Sequence, residues 1–192
     1  LPIAYVVTVG NQAQQGIGAV GRALLEDPRV TALGLYIEGI GDVAAFAALA
    51  QRADDLGKPI VALKVGRSQH AQIATVSHTA SLAGSAAGAD ALLIRLGIGQ
   101  VRSLTALLET LKLLHHTGPL ASNRIASLSC SGGEASMVAD GAECSDIAFP
   151  DLLPGQITEL RNVLGPSVAL ANPLDYHSHI WGDVSAMAAT YG

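Results

Sequence analysis

Charge is what this chain has least of. Only 14% of its 192 residues are Asp, Glu, Lys or Arg, against about 25% in an ordinary soluble domain. The balance is acidic: 11 basic and 16 acidic side chains give a formal charge of −5. No basic excess exists to neutralise phosphates, which argues against a dedicated nucleic-acid binder. Hydrophobic residues make up 49%, which excludes a disordered chain, since disorder needs low hydrophobicity and high net charge. Aromatics are scarce at 4%; Ala, Gly and Ser dominate, so elements can pack closely. Two cysteines, Cys130 and Cys144, have no CxxC spacing. That argues against a disulfide framework or a zinc site and fits a reducing, cytoplasmic setting. No apolar run reaches the ~18 residues of a spanning helix, so no membrane role is expected. The chain opens at Leu1 with no initiator Met and no signal-peptide pattern, and it is expected to be a fragment of something longer.

What is present is an alternation. Short apolar, β-branched runs at 3–9, 32–37 and 60–65 read as strands. Helical patterns cover 19–25 and 43–56, the second stopped by Gly57 with Pro59 just beyond. Continuous rather than alternating hydrophobicity in the strands predicts a parallel sheet with both faces covered. A loop from 66 to 79 follows, then helices over 85–96 and 103–115. The stretch 116–119 is the best boundary. Beyond it the pattern restarts: strand 125–129, helix 134–144, a short strand near Ile147, helix 154–164 and strand 168–170. The second unit has too few strands for a finished sheet and is expected to be truncated.

In a parallel α/β sheet, ligands bind beyond the carboxyl ends of the strands. Gly10-Asn11, Glu38-Gly39, Gly66-Arg67-Ser68 and the continuing loop with Ser77-His78-Thr79 all follow strands of the first unit. Small residues surround His78, so a bulky reactant could approach it. A neutral imidazole can attack phosphorus when its other nitrogen is held in one tautomer, and Glu38 is placed to hold it. The competing reading has His78 capping or packing on the following helix. Ser131-Gly132-Gly133 before a helix is a phosphate-binding pattern, through free N–H groups and the helix dipole; it is equally an ordinary turn with Ser131 as N-cap. Arg67 is either a phosphate ligand or a solvated loop residue.

These residues resemble a family. Glu38 in Leu35-Tyr36-Ile37-Glu38-Gly39-Ile40, then Lys64-Val65-Gly66-Arg67-Ser68, then Ser77-His78-Thr79-Ala80-Ser81-Leu82-Ala83-Gly84-Ser85 look like the ADP-forming acyl-CoA synthetases of the succinyl-CoA synthetase superfamily. Ser129-Cys130-Ser131-Gly132-Gly133 and Asn172-Pro173-Leu174-Asp175 look like that family's next ligase domain. Ala80 departs from the pattern, which usually has Gly there. The resemblance implies two flavodoxin-like, CoA-ligase-type α/β domains, at 1–118 and 119–192, the second incomplete. It implies that His78 is transiently phosphorylated, that Glu38 hydrogen-bonds it, and that the Ser131-Gly132-Gly133 turn opens a helix aimed at the phosphohistidine. Gly10, Asn11, Arg67 and Thr79 are further candidate loop contacts.

The implied activity is an NDP-forming acyl-CoA synthetase. It interconverts acyl-CoA, ADP and phosphate with acid, CoA and ATP, through acyl phosphate and the phosphohistidine. CoA and ATP/ADP with Mg²⁺ would be substrates held mainly by a CoA-binding domain and an ATP-grasp domain outside these residues, and this fragment would be inactive alone. The low surface charge points to an oligomer. The alternatives are a flavodoxin-like nucleotide- or cofactor-binding domain, and a regulatory or acyltransferase relative without ligase turnover.

Three other patterns carry less. Gly16-Ile17-Gly18-Ala19-Val20-Gly21 matches G-x-G-x-x-G, but residues 10–15 separate it from its strand, so its first glycine misses the tight turn of a dinucleotide site. Cys130 lies outside any nucleophile-elbow pattern and reads as a small packed residue. Asp175, His177, His179 and Asp183 lack metal-ligand spacing, and no metal site is expected.

Overall fold

The computed structural model describes residues 2–68, 70, 71 and 86–192. The chain forms two compact units, Leu1–Leu120 and Ala121–Gly192. The described elements of the first unit are α1 (Ile17–Leu25), β1 (Leu33–Ile37), α2 (Val43–Asp55), β2 (Ile60–Lys64), α3 (Ala86–Arg95), β3 (Gly99–Val101) and α4 (Leu104–Thr117). Their strands form one parallel sheet in the order β1-β2-β3, with Leu33 beside Ile60 and Val61 beside Gly99.

Local chemistry explains the boundaries. Asp42 caps α2, its carboxylate accepting from the N–H groups of Ala44 at 2.9 Å and Ala45 at 3.0 Å. The same helix ends in a left-handed Gly57 (φ +62°). There Gly57 N–H bonds the Asp54 carbonyl and Lys58 N–H the Ala53 carbonyl, a Schellman closure that satisfies carbonyls the helix would leave open.

The sheet separates two apolar layers. Leu33, Leu35 and Ile37 of β1 and Ile60 and Ala62 of β2 face α1, α2 and α3, where Leu25, Phe46, Leu49 and Leu93 are fully buried. Val61 and Leu63 face the other way, onto Leu107, Leu111 and Leu114 of α4. β2 is buried along its whole length, as the continuous apolar run predicts. Small residues set the close approaches. A Cβ on Gly18 of α1 would lie 2.6 Å from the Ala45 backbone of α2.

The second unit comprises β4 (Leu128–Ser129), α5 (Gly132–Ala142), α6 (Pro154–Leu164), β5 (Leu174–Asp175) and α7 (Val184–Tyr191). β4 and β5 pair in parallel, and Arg124 bridges Ala148 close to the strand expected near Ile147. Its core gathers Leu160, Leu164, Val168, Leu174, Tyr176 and Ile180.

Three expectations need correction. Residues 3–9, read as the first strand, are in no ladder: a cavity rather than a partner backbone separates them from β1. The second-unit strand read at 168–170 lies instead at Leu174–Asp175. Val168 is buried as a core residue, and its carbonyl accepts from Arg161 Nη1 at 2.8 Å. Helix α5 begins at Gly132 rather than Glu134, so both glycines of the Ser-Gly-Gly turn lie in its first turn.

Candidate functional site

The carboxyl end of the first unit's sheet is organised around a buried lysine. Lys64 closes β2 at 4% exposure, the centre strand bringing its side chain up among the strand ends. Its Nζ donates to the Glu38 carbonyl at 2.9 Å and to the Val65 carbonyl. One ammonium thus joins the ends of β1 and β2. Burial pushes its pKa down and the Arg67 guanidinium pushes the same way, while Asp90 and Glu38 oppose them. The Glu38 side chain is exposed beside this node. Gly66 follows in a left-handed turn (φ +72°), which turns the chain into Arg67 and Ser68.

Arg67 forms an ion pair with Asp90 of α3. The other oxygen of that carboxylate, Oδ1, is buried with no hydrogen-bond partner among the described residues. Asp90 was not singled out by sequence, because its role depends on a partner 23 residues away. Gln12 was likewise missed. Its Nε2 donates to the Gly39 carbonyl at 2.9 Å and its Oε1 accepts from Ile17 N–H at 3.0 Å. It therefore ties the start of α1 to the loop after β1. Gly10 adopts φ +52°, and Asn11 Oδ1 accepts from Ala13 N–H at 3.2 Å. So Gly10, Asn11, Gln12, Glu38 and Gly39 line one cavity. His78 and Thr79 lie outside the described residues.

In the second unit, β4 and β5 place Ser129 beside Asp175 at their carboxyl ends. Ser131 is the N-cap of α5 with extended backbone, but its hydroxyl makes no cap bond. Ser129 Oγ donates to the Ser131 carbonyl at 3.2 Å and steadies the turn. Ser131, Gly132 and Gly133 are all exposed. A Cβ on Gly132 would come 3.3 Å from Asp175 Oδ2, so the glycine admits this carboxylate to the helix start. Asp175 Oδ1 accepts from His177 N–H at 3.0 Å, and the His177 ring stacks on His179 at 5.1 Å. Asp183 caps α7 through Ala186 N–H at 2.9 Å, a structural duty for one of the acids in that stretch. The first unit thus carries a carboxylate, a buried cation and an ion-paired guanidinium at one sheet edge; the second carries an exposed helix start with an adjacent acid.

Known proteins share this arrangement of elements. The chain is 32% identical to an ADP-forming acetate–CoA ligase II subunit alpha of Pyrococcus furiosus over 170 residues, 88% of this chain and 36% of that one. It is 31% identical to an ADP-forming acetate–CoA ligase of Methanocaldococcus jannaschii, over 88% of this chain and 24% of that one. A solved structure, the dinucleotide-forming acetyl-coenzyme A synthetase 1 of Ca. Korarchaeum cryptofilum in complex with phosphate and ADP, superposes with a TM-score of 0.80 at 27% identity. That match covers 90% of this chain and 37% of the other. The chain therefore spans from about a quarter to somewhat over a third of the length of these relatives. Among the described residues no helix is long and apolar enough to cross a membrane. Residues 1–114 match the family model of the succinyl-CoA ligase like flavodoxin domain, and the chain belongs to that family.

Proposed function

We propose that this chain supplies the two flavodoxin-type ligase units, 1–118 and 119–192, of a cytoplasmic NDP-forming acyl-CoA synthetase. The observation that carries the reading is the sheet edge where Lys64 binds the Glu38 carbonyl and Gly66 turns the chain into Arg67, in a chain whose relatives are ADP-forming ligases.

The reaction runs as three displacements. A phosphate oxygen attacks the thioester carbonyl, the C–S bond breaks, and CoA leaves as the thiol. A His78 ring nitrogen attacks the phosphorus of the acyl phosphate, the bond from phosphorus to the acyl oxygen breaks, and the acid leaves as carboxylate. A terminal oxygen of ADP then attacks phosphorus, the P–N bond breaks, and ATP forms with His78 free. His78 is the catalytic residue. The Glu38 carboxylate accepts a hydrogen bond from the N–H of the remote ring nitrogen and so keeps the attacking nitrogen unprotonated. The Ser131-Gly132-Gly133 helix start offers N–H donors to the transferring phosphoryl group. Gly10, Asn11, Arg67 and Thr79 serve as further loop contacts. CoA and the nucleotide with its Mg²⁺ are substrates held mainly by a CoA-binding and an ATP-grasp domain, on the same polypeptide or a partner subunit, in an oligomeric assembly.

Two measurements on the full-length protein test this. Acyl-CoA, ADP and phosphate should yield ATP and free CoA, and Glu38→Gln should lower the rate at least about a hundredfold while leaving the fold intact. An intact fold with no ATP formation from any of a panel of acyl-CoA thioesters would overturn the reading.

A further inference from the structure

The rings of the turn that follows β5 have no part in the relay above. Leu174, Tyr176 and Ile180 are buried in the second unit's core and pin this turn at both ends. The residues between and beyond them face outward. The His177 side chain is 40% exposed, and His179 and Trp181 are exposed, the Trp at 59%. A chain with 4% aromatics and a single Trp thus spends that Trp at the surface, two residues from a pair of imidazoles.

The backbone is strained to make this display. His177 has φ +63° and ψ 161°, a region that is essentially glycine's alone. Such strain persists only where the surroundings over-determine it. Asp175 does so here. Its Oδ1 accepts from the His177 N–H at 3.0 Å, and its Oδ2 lies 4.0 Å from His177 Nδ1. That second oxygen is also the atom a Cβ on Gly132 would meet at 3.3 Å. One carboxylate therefore stands between the start of α5 and the His177 ring and holds the two at a fixed separation.

The rings present their faces. His177 and His179 are 8° from parallel with centroids 5.1 Å apart, an offset stack. An acyl phosphate held by the Ser131-Gly132-Gly133 turn has its acyl carbon two bonds from phosphorus, so its substituent is the group that reaches past Asp175 to the rings. The adenine of the nucleotide is set off from the transferring phosphoryl group by the ribose and two further phosphates. An acetyl group has too little surface to cover a stacked pair. A flat aryl group covers it, at the usual ring spacing of about 4.5–7 Å. We infer that His177 and His179 form the acyl subsite, that Asp175 holds the first ring in place, and that the substrate class is aromatic carboxylic acids, whose ring continues the stack. The inference rests on the ligase reading of this chain. It makes the two imidazoles specificity-determining residues for the acyl group.

The test uses the full-length protein. With ADP and phosphate, kcat/KM for cinnamoyl-CoA should exceed that for acetyl-CoA at least about tenfold. The ratio of the two should fall at least about tenfold in His179→Ala and recover in His179→Phe, which keeps a flat ring. Calorimetric titration with cinnamate in the presence of phosphate needs no turnover, and binding should be at least about tenfold weaker in His179→Ala than in the parent. ATP formed from acetyl-CoA with no preference for cinnamoyl-CoA overturns the inference and leaves the ligase reading intact. An unchanged ratio or an unchanged cinnamate affinity in His179→Ala overturns it as well. Cinnamate binding that depends on His179, with no ATP from any thioester, supports the ring subsite and contradicts the ligase reading alone.

Discussion

Lys64 shows what one side chain contributes to this edge. Its ammonium is buried at the end of the central strand and binds two carbonyl oxygens, those of Glu38 and Val65. Lys64→Met keeps much of the apolar bulk and strands both acceptors. Hydrogen bonds to a charged group are worth about 1.5–3 kcal/mol, so urea denaturation should show a loss of about that size or more. The sign of the pH dependence is fixed as well. Burial and Arg67 lower the lysine's pKa in the folded state, so the unfolded chain holds this proton more tightly. Between the depressed value and the ordinary ~10.4, stability should rise with pH through this group. Subtracting the Lys64→Met curve from the parent curve isolates that slope; a zero or negative difference contradicts the placement of the charge. Lys64 was visible in the sequence only as part of a recognised stretch. Gln12 and Asp90 were not visible at all, since their partners Gly39 and Arg67 are 27 and 23 residues distant.

At the scale of elements, the α1–α2 contact rests on the absence of a side chain. A methyl on Gly18 would meet the Ala45 carbonyl carbon and oxygen at 2.6 Å, both backbone atoms that cannot rotate away. Gly18→Ala should therefore destabilise by about 1–3 kcal/mol through overpacking, despite better helix propensity. Gly141→Ala in α5 is the contrast. Nothing lies within 4 Å of the added Cβ, so propensity acts alone and stability should rise by about 0.5–1 kcal/mol. Thermal unfolding of both variants checks the pair, and equal shifts would contradict the packing account.

The elements that were legible share one physical property: their own residues carry the signal. The run 60–65 is apolar but for Lys64, and its strand, 60–64, is buried on both faces; Asp42 and Gly57 bracket α2 and are its observed cap and stop. Those that were not legible depend on tertiary context. Gly99–Val101 has three residues and lies as β3 because β2 offers it an edge. Residues 3–9 have strand composition and no ladder, because the backbone they face across the cavity is not within hydrogen-bonding reach.

For the whole molecule, the sheet edge of the first unit and the helix start of the second are the surfaces on which the proposed relay depends. The nucleophile they would serve, His78, was named from its small neighbours and its motif, while its placement lies outside the described residues. The stretch from Ser77 to Ser85 therefore carries more of the functional reading than any contact seen in the fold. A further consequence concerns the acyl group: Arg67 is ion-paired with Asp90 at the proposed catalytic edge and offers a charged group rather than an apolar wall, so specificity for the acid's carbon chain should be unchanged in Arg67→Ala while turnover falls. Comparing kcat/KM ratios across a series of acids checks this.

The most direct measurement is transfer of label from γ-³²P-ATP to the intact full-length protein, read after mass-spectrometric mapping. The account predicts one phosphoryl group per active site, lost in acid and stable in alkali as a P–N bond is, mapped to residue 78, discharged by ADP, and absent in His78→Ala. Label that survives His78→Ala, or that maps to another residue, would contradict it.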